Sequence, residues 1–195
     1  MKKLILICFV LVSSRSFSQG FIQGITQRLT FGIKGGANYS NYVHADFTTQ
    51  ALVGFHAGAL VDFRLTKNLS IQEEFLYSLQ GAKVPENVFG KEEVKVSYMS
   101  VPFLLKYRTN LGIYVEAGPQ AGMRISDNIG KTQSGDFAKR VDLAAAGGIG
   151  YQSKSGFGVG VRYVAGLSGV GNFQSAGVKP DFRTSVGQAS VFYIF

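Results

Sequence analysis

The chain ends inside a strand. Its last stretch, Ser185–Phe195, reads S-V-G-Q-A-S-V-F-Y-I-F, has no turn former near its end and stops on an aromatic. Stepping back by two gives Phe195, Tyr193, Val191, Ala189 and Gly187 on one face; Ser190 and Gln188 lie on the other, which Phe192 and Ile194 interrupt. A strand without a terminating turn presents a row of unpaired N–H and C=O groups and needs a neighbour. The first alternating stretch, Phe31–Tyr39, is the expected partner. Pairing first strand with last closes a barrel.

The chain between these two stretches supports closure. Alternating segments fall at Thr30–Tyr39, Leu52–Arg64, Leu69–Gln80, Val94–Tyr107, Ile113–Ile125, Arg140–Gln152 and Gly156–Ser168, with Ser185–Phe195 last. In the second, for example, Val53, Phe55, Ala57, Ala59, Val61 and Phe63 alternate with His56, Gly58, Asp62 and Arg64. Strands of this length exceed the roughly five or six residues usual in soluble sheets and suit the roughly nine to eleven of a tilted membrane strand. The connections alternate too: long at Ser40–Ala51, Gly81–Glu93, Ser126–Lys139 and Gly169–Phe182, short at Leu65–Asn68, Arg108–Gly112 and Ser153–Ser155. Long loops at one end and tight turns at the other characterise transmembrane barrels. The expected fold is all-β: a closed antiparallel up-and-down transmembrane β-barrel of about eight strands, one domain over residues 19–195.

Which face meets lipid follows from side-chain volume. Charged residues are 16% of the chain, below the roughly 25% of soluble proteins. The polar face carries Gly32, Gly36, Gly58, Gly118, Gly122, Gly148, Gly150, Gly158 and Gly160 with large charges between them. The apolar face carries Phe, Tyr, Val and Leu on every strand. A barrel of about eight strands has an interior only wide enough for side chains, so the bulky face belongs outside. A soluble lipocalin-like barrel with the faces exchanged is the alternative. Phe31, Tyr39, Phe63, Tyr77, Tyr107, Tyr151, Phe157, Tyr193 and Phe195 lie toward strand ends, where interfacial girdles form. Glu73 falls on the apolar face and fits only near a rim. Pro102 and Pro119 each remove a ladder donor, and a bulge or local widening is expected at both.

The inward charges are Lys34, Asp62, Arg64, Glu74, Lys106, Glu116, Arg124, Asp142 and Arg162. Unpaired charge in a low-dielectric lumen is costly, so a salt-bridged network is expected, acting as a plug that fixes register rather than as a conduit. Glycine is expected to make room for Lys34, Arg162 and Glu116 to cross. Glu74 with Glu116 could suggest an acid–base pair, but neighbouring cations favour structural ion pairing. His56 points inward and is expected to be hydrogen-bonded. His44-Ala45-Asp46 lies in the first long loop, where with loop serines it would be the core of a rim-located lipid-modifying enzyme; a solvated loop histidine is the simpler expectation. No His, Cys, Asp and Glu cluster has metal-ligand spacing, and Gly32–Gly36 lacks the spacing of a phosphate loop. No cofactor is expected.

Residues Met1–Gln19 read as a secretory signal. Lys2 and Lys3 precede an apolar run, Leu4–Val12, too short to span a bilayer, and Ser16-Phe17-Ser18 places cleavage before Gln19, giving a signal peptide over 1–18. Cys8 is the one cysteine and lacks the small residue that precedes a lipidated cysteine. The net charge of +8 comes with no basic helix or Lys/Arg run, so nucleic acid is not an expected partner. Cations in the loops suggest lipopolysaccharide phosphates instead.

The segments Ile71-Gln72-Glu73-Glu74-Phe75-Leu76-Tyr77-Ser78 with Gly81, Tyr98-Met99-Ser100-Val101-Pro102-Phe103-Leu104-Leu105-Lys106-Tyr107, Glu116-Ala117-Gly118-Pro119, Val161-Arg162-Tyr163 with Gly166-Leu167, and Tyr193-Ile194-Phe195 resemble, in this order, the bacterial outer-membrane β-barrel domain family often labelled PorT-like, within the small porin-family barrels. Ser100 stands where that pattern has an acid and Glu73 where it has proline. The resemblance implies a Gram-negative cell outer membrane location and a terminal signal, Tyr193 and Phe195, read by barrel-assembly machinery. Both mature termini are expected in the periplasm. The expected protein is a monomer in outer-membrane lipid, non-enzymatic, structural or anchoring, or binding an unknown partner through its loops in adhesion or secretion. A rim enzyme acting on lipid and a narrow channel are the alternatives.

Overall fold

The structure is a computed structural model that describes residues 26–43, 49–83, 93–127, 131–132, 135–136, 141–168 and 183–195. The signal segment and the His44-Ala45-Asp46 triplet lie outside them. The strands are β1 (Leu29–Val43), β2 (Gln50–Arg64), β3 (Leu69–Lys83), β4 (Glu93–Arg108), β5 (Ile113–Asp127), β6 (Lys131–Thr132), β7 (Gly135–Asp136), β8 (Val141–Gln152), β9 (Phe157–Gly166) and β10 (Arg183–Ile194). Eight of them close a barrel in the order β1-β10-β9-β8-β5-β4-β3-β2. The closing seam is antiparallel and runs from Gly32 opposite Ile194 to Val43 opposite Arg183, the pairing expected from the uncapped terminus. β6 and β7 pair only with each other, a small hairpin within what the sequence reads as loop.

Each expected strand is present, and several run further at the long-loop end. β1 reaches Val43 rather than Tyr39, and β3 reaches Lys83 rather than Gln80. There Gln50 and Glu93 both pair with Lys83, so the ladder outlasts the apolar band. The other end is bounded by the turns 65–68, 109–112 and 153–156. Gly112 and Gly156 close the last two, each with φ of +93°. Their N–H groups donate to Thr109 and Ser153 carbonyls at 3.0 and 3.3 Å. A side chain there would be strained, which fixes glycine at both positions.

The faces are those of a membrane barrel. Phe55, Phe75, Phe103 and Val161 are 50, 47, 51 and 57% exposed, whereas Glu116 and Arg162 are 5 and 4% exposed. At the turn end Phe31, Tyr107, Tyr151, Phe157, Tyr193 and Phe195 are all exposed and form one aromatic belt; Tyr39, Tyr77 and Tyr163 lie higher on the wall. Glu73 points outward, half-buried, opposite Val61 and Phe103, and is therefore on the wall itself, four pairs in from the Leu69–Tyr107 pair.

Neither proline makes a bulge. On the β3–β4 ladder pairing passes from Glu73–Phe103 to Leu76–Ser100 in one register, skipping the steps beside Pro102, which still pairs with Gln120 on β5. Pro119 likewise pairs with Ala145 on β8 while the β4 side is skipped. A strand residue directs its N–H to one neighbour only, so a proline opens one side without displacing the other. The register shifts lie elsewhere, between Ala51 and His56 on β2 and between Ser97 and Tyr98 on β4.

The lumen is partly apolar. Leu104, Ala144, Ala146, Val164 and Val186 form one buried cluster. Leu60, Tyr114, Phe192 and Ile194 form another, with the Tyr114 and Phe192 rings edge to face at 5.9 Å. This second cluster accounts for Phe192 and Ile194 breaking the polar face of the last strand. It also changes the role of glycine. A Cβ on Gly158 would overlap the Phe192 ring and one on Gly160 would overlap the Tyr114 hydroxyl, so these glycines admit aromatic rings; Gly148 lies against Arg162.

Candidate functional site

Inward positions on β1, β3, β5 and β9 bring four charges together at the barrel axis. Arg162 is the hub. Its Nη1 donates to Glu74 Oε2 at 2.7 Å and its Nη2 to Glu74 Oε1 at 2.7 Å, a two-point clamp. Its Nε and Nη2 also donate to Glu116 Oε1 at 2.8 and 2.6 Å. Lys34 Nζ reaches Glu74 Oε1 at 3.0 Å. Two cations and two carboxylates, all buried, make the group formally neutral, as burial of charge in a low-dielectric interior favours. Arg162 holds both carboxylates, so Glu74 and Glu116 form no acid–base pair.

Uncharged amides extend the group. Gln72 Nε2 donates to Glu74 Oε1 at 2.6 Å, and Gln72 Oε1 accepts from Lys106 Nζ at 3.0 Å. Lys106 also donates to Gln152 Oε1 at 3.1 Å and lies 4.3 and 4.8 Å from the ring centres of Tyr114 and Phe192. Desolvated cation–π contact helps hold an ammonium that touches no carboxylate among the described residues. A second polar group centres on Asn38. Its Nδ2 donates to Ser78 Oγ and to the carbonyls of Phe55 and Leu79, each at 3.0 Å. Its Oδ1 can then only accept, so His56 Nδ1, 2.7 Å away, carries the proton there. His56 Nε2 lies 2.9 Å from Ser190 Oγ, and Gln188 Nε2 donates to Asn38 Oδ1 at 3.1 Å. His56 is thus a hydrogen-bonded lumen residue.

Of the nine charges singled out in the sequence, Lys34, Glu74, Glu116 and Arg162 form one contiguous ion cluster, and Lys106 joins through Gln72. The other four lie nearer the two ends of the barrel. Asp62 stands apart, accepting from Ser70 at 2.9 Å. Arg64 is exposed at the turn-end mouth. Asp142 accepts from Ser168 at 2.5 Å and Thr184 at 3.3 Å near the loop end, and Arg124 is half-buried on the same side. A narrow lumen holds one dry ionic layer, and charges nearer the strand ends reach the wet mouths. Asn38, Gln72, Gln152, Gln188 and Ser190 are the members that sequence reasoning missed. Their signal was there: each occupies an inward position of the period-two pattern. Among the described residues no group of three metal-ligating side chains occurs, and no helix is long and apolar enough to cross a membrane.

The sequence matches the outer membrane protein beta-barrel domain family over residues 16–171. No protein of curated function matches it. Among solved structures it is similar to Ail, the attachment invasion locus protein of Yersinia pestis, solved in complex with the heparin analogue sucrose octasulfate: the TM-score is 0.50 at 15% identity, covering 86% of this chain and 99% of that one. It is also similar to Neisserial surface protein A, with a TM-score of 0.51 at 14% identity, over 85% of this chain and 97% of that one. At these identities the likeness is one of fold.

Proposed function

Because this chain belongs to the outer membrane protein β-barrel domain family and its barrel sits in the outer membrane, we propose that it is a non-enzymatic, non-conducting scaffold that binds through the long connections at one end. The observation that carries this reading is the filled lumen. Arg162 bridges from β9 to Glu74 on β3 and to Glu116 on β5, with apolar clusters packed inside the same wall. A small barrel so occupied offers support rather than passage. The long connections join β1 to β2, β3 to β4, β5 to β8 and β9 to β10, at residues 44–49, 84–92, 128–140 and 167–182, and connecting segments are where binding residues concentrate.

In this reading the turns and both mature termini face the periplasm, Tyr193 and Phe195 serve recognition by the assembly machinery, and the barrel works as a monomer. The bound partner is a surface ligand in adhesion or a component of a secretion assembly. The name of the Yersinia attachment protein agrees with the first. Lipopolysaccharide remains the expected lipid neighbour of the loop end. The test joins two measurements. Purified protein in planar bilayers is expected to give no conductance steps, and shortening the connection at 167–182 is expected to abolish partner capture while leaving heat-modifiable gel migration intact. Discrete steps from the wild type would overturn the scaffold reading, and capture undiminished by shortening every long connection would overturn loop binding.

A further inference from the structure

The basic surplus of this chain is not spread evenly. From residue 19 onward there are seventeen Lys and Arg and twelve Asp and Glu. The lumen balances, with Lys34, Lys106 and Arg162 against Asp62, Glu74 and Glu116. The loop end nearly balances. The remaining cations, Arg28, Arg64, Lys67, Arg108 and Lys154, all lie at the turn end, where the turns 65–68, 109–112 and 153–156 contain no acidic residue.

Four of those five cations surround an opening. A cavity of about 890 Å³ leads from the turns into the barrel, lined by Arg64, Lys67, Arg108 and Lys154, with Lys106 and Asp62 among its inner residues. None of the four rim cations makes an ion pair among the described residues. Thr66 Oγ accepts the N–H groups of Asn68 and Leu69 at 3.3 and 3.0 Å and keeps its own O–H to donate. Unpaired cations from three separate turns, converging on a mouth of ligand size, make a site for a compact multiply charged anion. Donors arriving from several directions fit a tetrahedral oxyanion better than a planar carboxylate, and guanidinium forks pair with it bidentately.

We propose that the turn-end vestibule binds phosphate groups, presented either by a soluble phosphate compound or by the headgroup of an anionic phospholipid. The site deepens the scaffold reading and depends on its orientation only for the compartment that supplies the ligand, which is the periplasm. Lys106, held from below by Gln72 and Gln152, supplies the inner positive charge, and the rim cations close over the anion.

The test uses the full mature chain in maltoside micelles, which carry no phosphate, titrated with tripolyphosphate and followed by backbone amide NMR. The expected result is saturable, salt-sensitive shifts confined to residues 64–70, 106–112 and 151–156. The double variant Arg64→Ala, Arg108→Ala should weaken binding at least about tenfold, while Lys83→Ala, Lys95→Ala at the loop end should leave it unchanged. Absence of saturation, or equal weakening by both double variants, would overturn the site. Nanodiscs separate the two sources. If phosphatidylglycerol added to phosphatidylcholine moves the same amides and competes with tripolyphosphate, the headgroup is the source; if it does not, a soluble phosphate is. Labelling Lys154→Cys on intact cells with a membrane-impermeant reagent tests orientation separately: labelling from outside would sink the periplasmic assignment and leave the micelle result standing.

Discussion

Replacing Arg162 with leucine tests how the lumen is held. The guanidinium makes four charge-assisted hydrogen bonds, two to Glu74 and two to Glu116, all between 2.6 and 2.8 Å. Without it Glu74 keeps Lys34 and Gln72. Glu116 keeps no donor among the described residues, and its Oε2 has none even in the intact protein. A neutral ionic layer becomes a layer with one surplus buried carboxylate. Breaking a buried pair in this way costs about 3–5 kcal/mol, and that loss is expected in reversible urea unfolding from neutral lipid vesicles. Adding Glu116→Gln removes the stranded charge, so the double variant should recover about 1–3 kcal/mol relative to the sum of the two single effects. Lys34→Met should cost less than Arg162→Leu, because Lys34 donates once, to Glu74. An Arg162→Leu barrel within about 1 kcal/mol of the wild type, or a strictly additive double variant, would refute the claim that charge balance in this layer holds the barrel closed.

Two further substitutions probe the wall from its two sides. Gly160→Val should displace the Tyr114 ring and with it the Lys106 contact, costing about 1–3 kcal/mol by overpacking. It should lower the temperature at which the folded gel band disappears, whereas Gly35→Ala, whose nearest neighbour is the His56 carbonyl oxygen at 3.6 Å, should not. Glu73→Leu should raise stability in vesicles by about 1–2 kcal/mol, since it replaces a lipid-facing carboxylate among Val61 and Phe103. A loss of stability there would show that Glu73 serves a cationic partner.

The wall was legible in the sequence because lipid makes one demand at every outward position. Phe31, Phe55, Phe103, Val161 and Tyr193 answer it independently, and their period of two alone places them. Strand order followed from the alternation of long and short connections, and closure followed from the uncapped end at Phe195. The lumen makes a different demand. Which inward residues meet depends on stagger across the barrel: Arg162 reaches Glu74, eighty-eight residues away in the chain. Period-two reading assigns both to the inside and says nothing of their contact. It also treated inward apolar residues as noise, although Leu60, Phe192 and Ile194 pack with Tyr114 as one cluster.

The same limit applies to where the charge surplus sits. Net charge read along the chain, with long loops rich in polar residues, points to the loop end. Sorted by position in the barrel, the loop-end ions nearly cancel and the lumen ions cancel fully, so the surplus falls to the turn end, on Lys67 and Lys154 in the short turns and on Arg28, Arg64 and Arg108 beside the strand ends. Short turns pin their cations over the mouth, since each is anchored at both ends to a ladder, as where Asn68 Nδ2 bonds the Arg108 carbonyl at 2.7 Å across two neighbouring turns. Arg64, Lys67, Arg108 and Lys154 make no ion pair among the described residues. Their mutual repulsion is unfavourable and a bound anion would relieve it, so anion binding in the vestibule should raise the unfolding midpoint of the wild type more than that of Arg64→Ala, Arg108→Ala.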